Sequence, residues 1–499
     1  MKIPLNLLLG FAKRAAFDAA INEGRWDARD VPFTDTSGFH TYADLDLDLD
    51  VSAGDDHAAF RNLQIFQALA SAAEAVGRVS GMRILELQGQ RIHLYLEAAI
   101  PTDATVRKLV EGLRVFYQLA TAEIGRLVGD IPFSLRMAAD HGRAILLRSI
   151  GDDVSESVVS LGNAANRPAK HLAPAVRNNG VPAGFLALNE GVLRGSADAH
   201  WRLIDLDVTR AQKQAVDEGA GDAEARHTMF SAAIAQYTGL AKSAMEVLAR
   251  EFEPNPHNPV QAPLRRSGFM FRADLDGHSA KVRAAMEQGD RAIMALVANF
   301  HQIMRYPIAF KESLPEGVSV LCFPWAGDCA NLFLECDDYQ LERAYLPNTA
   351  ALNWHSQNGE SGVEWRKVLD NCNWLVALGG GDPSSSGRGT LLTGKVFADG
   401  RTFHVGAGWS WRRSLDAEQS KGTTAQQTVI QVEDYRALDR VCQAAYHDHP
   451  ENPSLFKVAD LASLTRAEKQ SATAAKVSVP ATVPAFNIQV RAPKPYRTA

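Results

Sequence analysis

The sequence predicts an α+β fold in which two tandem ferredoxin-like domains pack on each other as an intramolecular pseudo-dimer. Three observations predict it. The chain has 499 residues, enough for two or three domains with cores of their own. Short motifs recur in the same order at a nearly fixed offset, as a duplication would leave them. Asp35 opens DTSGFH and Asp274 opens DLDGHS, 239 residues on; Gly89 and Gly327 follow at 238; Gly162 and Gly408 at 246. Finally, each half reads strand, helix, strand, strand, helix, strand, the ferredoxin-like order.

The elements follow from periodicity. Each half opens on an apolar strand leading into a D-x-x-G turn. Phe60, Leu63, Leu69 and Val76 then keep helical spacing in the first half. Val282, Met286, Ile293, Leu296, Val297, Phe300 and Met304 do so in the second. Two strands around a tight turn come next, MRILELQGQRIHLYLE at Gly89 and VSVLCFPWAGDCANLFLE at Gly327. Second helices are expected at about 103–127 and 359–371, then further strands and a short helix. The domain reading is 1–30 a docked N-terminal helical segment, 31–210 the first domain and 211–262 a helical connector ended by EPNPHNP. The second domain is 263–445 and the tail 446–499, largely disordered after about 467.

Composition bounds the function. Net charge is −6 with 22% charged residues, which favours neither nucleic acid nor an anionic membrane. Five cysteines without a CxxC pair argue against zinc ribbons and dithiol redox chemistry. The apolar N-terminal stretch is too short to span a bilayer and lacks a leader's cleavage site, so a cytoplasmic location is expected.

The chemistry lies at the turns. Asp274 ends an apolar run and Asp328 sits in the next hairpin, so this fold would face both carboxylates into one pocket. A lone turn aspartate usually only shapes its loop. Two held close repel unless a cation lies between them, and Mg2+ or Mn2+ suits such hard oxygen ligands.

DLDGHS, a long helix and a strand–Gly–Asp–strand hairpin resemble the class III nucleotidyl cyclases. The resemblance implies two metal ions at Asp274, Leu275 and Asp328. It also implies a facing G-x-x-x-N-x-x-x-R segment, matched by Gly162 to Lys170. There Asn166 would hold the ribose and Lys170 would replace the charge-stabilising Arg, with Arg167 as neighbouring cation. Otherwise this segment is a helix start with solvated basic residues, Pro168 fitting its first turn. The first half carries Gln90 at the second metal position, and the second half carries Arg412 and Asp416 at the Asn and Arg positions. One composite site is therefore expected to work and the other to be dead.

Arg388-Gly389-Thr390 and GWSWRRSLDAE resemble the stand-alone bacterial pyrimidine (uridylate and cytidylate) cyclases of anti-phage defence. The adenine-reading pair of adenylate cyclases is not evident, since Val159 stands at one position and Arg83 and Glu86 near the other. The expected substrate is a nucleoside triphosphate, UTP ahead of CTP, with Arg388 and Arg83 as substrate contacts and a cyclic-nucleotide effector downstream. The alternatives are an adenylate or guanylate cyclase with an atypical base pocket, or a catalytically dead cyclase-fold nucleotide binder. The chain would act as a monomeric pseudo-dimer or a homodimer, without nucleic acid or stable membrane insertion.

Overall fold

In a computed structural model, the described residues are 2, 5, 31–47, 56–151, 157–172, 180–191, 199–207, 264–275, 278–312, 319–325, 327–335, 372–378, 389–408, 427–437, 443–444, 446–454 and 456–460. The connector at 223–250, the helix expected at 359–371, Arg388, Arg412 and Asp416 lie outside them, as does the N-terminal segment apart from Lys2 and Leu5.

The first repeat contains β1 (Phe33–Leu47), α1 (Asp56–Ser80), β2 (Arg83–Gln88), β3 (Arg91–Glu97), α2 (Asp103–Val128), β4 (Phe133–Arg148), β5 (Val158–Leu161), α3 (Asn163–His171), β6 (Phe185–Asn189) and β7 (Trp201–Asp205). Its sheet runs β2-β3-β1-β4-β6-β7, with β5 on β4. The central β2-β3-β1-β4 order is ferredoxin-like. Thr102 caps α2 by accepting from the Thr105 backbone N–H, and Gly129 ends the helix at φ +62°. The apolar faces of α1 and α2 bury against Phe39, Ala43, Ile84, Ile92 and Leu94 on one face of the sheet.

The second repeat contains β8 (Leu264–Leu275), α4 (His278–Gln288), α5 (Asp290–Glu312), β9 (Ser319–Cys322), β10 (Cys329–Glu335), β11 (Cys372–Leu378), β12 (Gly389–Ala398), β13 (Arg401–Gly408), β14 (Gln427–Gln431), α6 (Val432–Ala437), β15 (Tyr446–Asp448) and β16 (Phe456–Asp460). The helical pattern read as one segment is two helices, because Gly289 at φ +91° breaks it. The long β4 of the first repeat is matched by two strands: Leu378 of β11 pairs with Phe269 and Gly389 of β12 with Gly268, consecutive positions on β8. The second sheet also runs past 445, since β16 pairs with β14 and β15 with β16.

Register revises one of the three recurrences. Arg91 pairs with Asp44, and Cys329 pairs with Asp274. Since Gly89 and Gly327 turn the two hairpins alike, at φ +60° and +62°, the counterpart of Asp274 is Asp44 and not Asp35. The matching text is ADLD at 43–46 and at 273–276. Asp35 opens no turn. It lies early in β1 opposite Ile145 and binds Arg143 at 2.7 Å and Lys2 at 2.9 Å. Gly38, in the expected turn, is a strand residue whose missing Cβ leaves room for the Leu96 carbonyl and the Tyr95 ring.

The repeats clasp each other with reciprocal arms. Val396, Ala398, Phe403 and Val405 of the β12–β13 hairpin join the apolar core of the first repeat. Gln67 donates to the Phe397 carbonyl at 2.8 Å and accepts its N–H at 3.0 Å, and Arg401 donates to the Ile84 carbonyl. In return, Gly151, past the end of β4, lies so close to Cys322 and Pro324 that a Cβ would meet their backbone at 3.0 and 2.9 Å. Ile84 and Cys322 stand at matching places before the two hairpin glycines, so the clasp has approximate two-fold symmetry.

Candidate active site

The sheet face of the first repeat turned away from α1 and α2 carries His40, Tyr42 and Asp44 at alternate positions of β1. Beside them, β3 contributes Arg91, His93 and Tyr95. His40 Nδ1 and His93 Nε2 are 3.1 Å apart, and the His93 ring stacks on Tyr42 at 4.1 Å. Burial holds both imidazoles neutral, pushing His40 down to about 3 and His93 well below its usual value. Glu86 lies beside them. Burial pushes its carboxyl up to about 8, against the opposing pull of Gln88, the Gly327 backbone N–H and Arg91. Burial also raises the Tyr42 phenol, helped by the negative charges of Glu86 and Asp328 and opposed by Arg91. The Gly327–Asp328 turn of the second repeat therefore sits against Glu86 and Tyr42 of the first.

On the same repeat, α3 lies across β4. Gly162 and Gly142 permit the approach: a Cβ at Gly162 would meet the Arg143 carbonyl at 2.8 Å, and one at Gly142 the Ala164 side chain at 3.2 Å. Asn166 is half-buried and Lys170 exposed. Pro168 is not in the first turn but is the sixth residue of the helix. Arg167 points back to β4, with Nη1 3.5 Å from Oδ2 of the fully buried Asp140. Burial pushes Asp140 up to about 6, against Arg167, the Asn189 amide and the His141 N–H. Lys170 faces the other way: its charge helps lower His278, on α4, whose pKa burial chiefly brings to about 4. Helix α3 packs against α4.

The structure thus brings together, by backbone register, Asp274 and the Asp328 turn, and it sets α3 against the helix that follows Asp274. Leu275 ends β8 opposite Cys372. Arg83 is not part of this group. It is exposed at the start of β2, at the opposite end of that strand from the Gly89 turn, and β2 meets the second repeat through Glu86 and the Ile84 carbonyl. Three features escaped the sequence reading: the Asp44–Arg91 pair, the His40–His93 pair and the Asp140–Asn189–Arg167 cluster. The signal of the first two was the two-residue polar alternation in β1 and β3, which an ordinary solvent-facing strand shows equally.

The metal fit rests on donor chemistry. In the first repeat Arg91 neutralises Asp44 at 3.0 Å. At the same register the second repeat carries Cys329 in place of Arg91, next to Asp328 in place of Gln90. A hard divalent cation suits the Asp274 and Asp328 carboxylates. Among the described residues no group of three His, Cys, Asp or Glu side chains is arranged to hold a metal ion, but the Asp274 side chain is not among them.

Several polar atoms in this region are buried without a hydrogen-bond partner: His40 Nε2, Glu86 Oε1, His93 Nδ1, Asp140 Oδ2, Asn166 Nδ2 and Arg167 Nη1. Such atoms are costly unless a ligand or water meets them.

No family model and no curated protein matches the sequence. Among solved structures, a class III adenylyl cyclase-like ATP-binding protein from Pseudomonas aeruginosa aligns over 87% of this chain and 91% of its own, at TM-score 0.59 and 16% identity. The fold is that of the class III nucleotidyl cyclases. The alignment spans both repeats, so this fold accounts for the whole two-domain arrangement. The adenylyl cyclase CyaB from P. aeruginosa aligns with 33% of this chain and 83% of its own, at TM-score 0.24 and 10% identity. Among the described residues no helix is long and apolar enough to cross a membrane.

Proposed function

We propose that this protein is a nucleotidyl cyclase with one composite site, its carboxylates from the second repeat and its amide and cation from the first. The observation that carries the reading is the packing of α3, with Asn166 and Lys170, on α4, which begins just after Asp274. Asp274, Leu275 and Asp328 would hold two Mg2+ or Mn2+ ions. Bound there, such ions would supply Lewis-acid activation of the ribose 3′-hydroxyl and charge neutralisation for the departing pyrophosphate. Asn166 orients the ribose. Lys170 places positive charge where it builds on the α-phosphate, as a point charge rather than a bidentate fork. Arg167, drawn toward Asp140, supports α3 in this reading.

The base preference is proposed as pyrimidine, UTP ahead of CTP, with a role in anti-phage signalling. Its support is the sequence likeness at Arg388–Thr390 and 408–418, together with Glu86. Burial pushes the Glu86 carboxyl up to about 8, and its protonated form offers one donor and one acceptor, which matches the N–H and C=O edge of uracil. Guanine has a similar edge, so substrate choice is tested directly. Purified protein is incubated with Mn2+ and each of the four triphosphates, and cyclic product is resolved by mass spectrometry. Cyclic UMP in excess supports the proposal, and product from ATP or GTP alone refutes the pyrimidine reading.

A second reading has a specific support, the likeness to a protein described as cyclase-like and ATP-binding. On that reading the site holds a nucleotide without cyclising it. Saturable nucleotide binding with no cyclic product under any metal would favour it.

A further inference from the structure

We propose that Ser149 of the first repeat is a positioning residue for the carboxylate turn of the second. It rests on the reading of Asp328 as a metal ligand. Ser149 lies just beyond the end of β4 and is only 3% exposed. Its Oγ accepts the backbone N–H of Trp325 at 2.7 Å, a bond across the repeat boundary three residues before Asp328. Gly151 closes the same contact against Cys322, Phe323 and Pro324. From the other side, Trp325 is fixed within its own repeat. Its indole N–H donates to the Met304 carbonyl at 3.2 Å, and its ring meets Phe300 edge-on at 5.8 Å. The peptide leading into Gly327–Asp328 is therefore held between α5 and an arm of the partner repeat. A side-chain hydrogen bond to that backbone sets where the turn begins, as outer-shell partners orient metal ligands elsewhere. It also explains why the first repeat would be needed for metal binding although it donates none of the carboxylates.

The opposite arm supplies the control. Gln67 joins the repeats through two bonds to Phe397, on a hairpin that docks at α1 and not at the Asp328 turn. The experiment compares wild type, Ser149→Ala, Ser149→Thr and Gln67→Ala in the full chain, by Mn2+ titration and by amide exchange of peptides covering 319–335. Ser149→Ala is expected to weaken Mn2+ binding about tenfold and to speed exchange in that segment. Thr, which keeps the hydroxyl, is expected to restore both, and Gln67→Ala to change neither. Equal effects from Ser149→Ala and Gln67→Ala would reduce the bond to general adhesion and overturn the proposal. Unchanged exchange in Ser149→Ala would overturn it too. A wild type that bound no Mn2+ while Ser149→Ala still loosened 319–335 would refute the metal reading and uphold the mechanical link, so the two failures are distinguishable.

Discussion

Asp44 and Arg91 form an ion pair at 3.0 Å at the strand register that Asp274 and Cys329 occupy in the second repeat. The duplicated fold thus keeps the first carboxylate in both halves and treats it differently. In one, the next strand brings its own guanidinium, which also lies 5.9 Å from the Tyr42 ring centroid. In the other, the same strand brings Asp328 and then a neutral cysteine.

That difference predicts a transplant. Gln90→Asp with Arg91→Cys recreates the second-repeat pattern in the first and is expected to add a second Mn2+ site in a titration. Arg91→Ala alone leaves Asp44 without its cation and is expected to lower stability by about 1–3 kcal/mol in urea unfolding. No added metal binding in the double variant would show that the register alone does not make the site.

The composite arrangement predicts asymmetry. Asn166→Ala and Lys170→Ala are each expected to slow turnover on the order of 100-fold, while Lys170→Arg retains activity. Arg412→Ala and Asp416→Ala are expected to stay within about twofold of wild type, since they belong to the site expected to be dead. Steady-state kinetics on the six proteins, wild type included, decides it, and equal losses on both sides would point to two working sites.

Glu86 predicts a pH dependence of stability. Its folded-state value is raised above its usual one, so the folded protein holds a proton that the unfolded chain releases. That contribution is complete at low pH and declines as pH rises from about 4.5 to about 8. Glu86→Gln removes the titration. It is expected to match wild type near pH 5 and to exceed it at pH 8 by on the order of 2 kcal/mol in urea unfolding. His40 acts in the opposite sense. Its lowered value gives stability that is present above about 6.5 and lost as pH falls toward 3.

Much of the fold was legible because its signals are local. Helical spacing located α1, glycine turns located both hairpins, and the α2 span fell within one residue of its expected end. The Asp35 alignment failed because a sequence motif, D-x-x-G, carries no register. Only the pairing of β1 with β3 shows that the strand continues to Leu47 and that Asp44 meets the hairpin. Likewise Gly289 looked compatible with one long helix until its positive φ divided it. The candidate site was legible where carboxylates and the Asn166 segment stand in motifs. Glu86, Asp140 and Ser149 were not, since their significance comes from what the other repeat or another strand places beside them.

The arms predict a packing effect. A Cβ at Gly394 would lie 2.8 Å from Leu63 Cδ1, so Gly394→Val forces the hairpin off α1. It is expected to cost about 1–3 kcal/mol and to leave a single cooperative transition, since Val396 and Phe403 share the first repeat's core. Two separate unfolding transitions in wild type would contradict the shared core.

The most direct measurement is Mn2+-dependent release of pyrophosphate by wild type, Asp274→Ala and Asp328→Ala, alongside their melting temperatures. The expected result is release by wild type and a loss of at least about 100-fold in each variant, with melting within about 3 °C. Full activity in both variants would contradict the account.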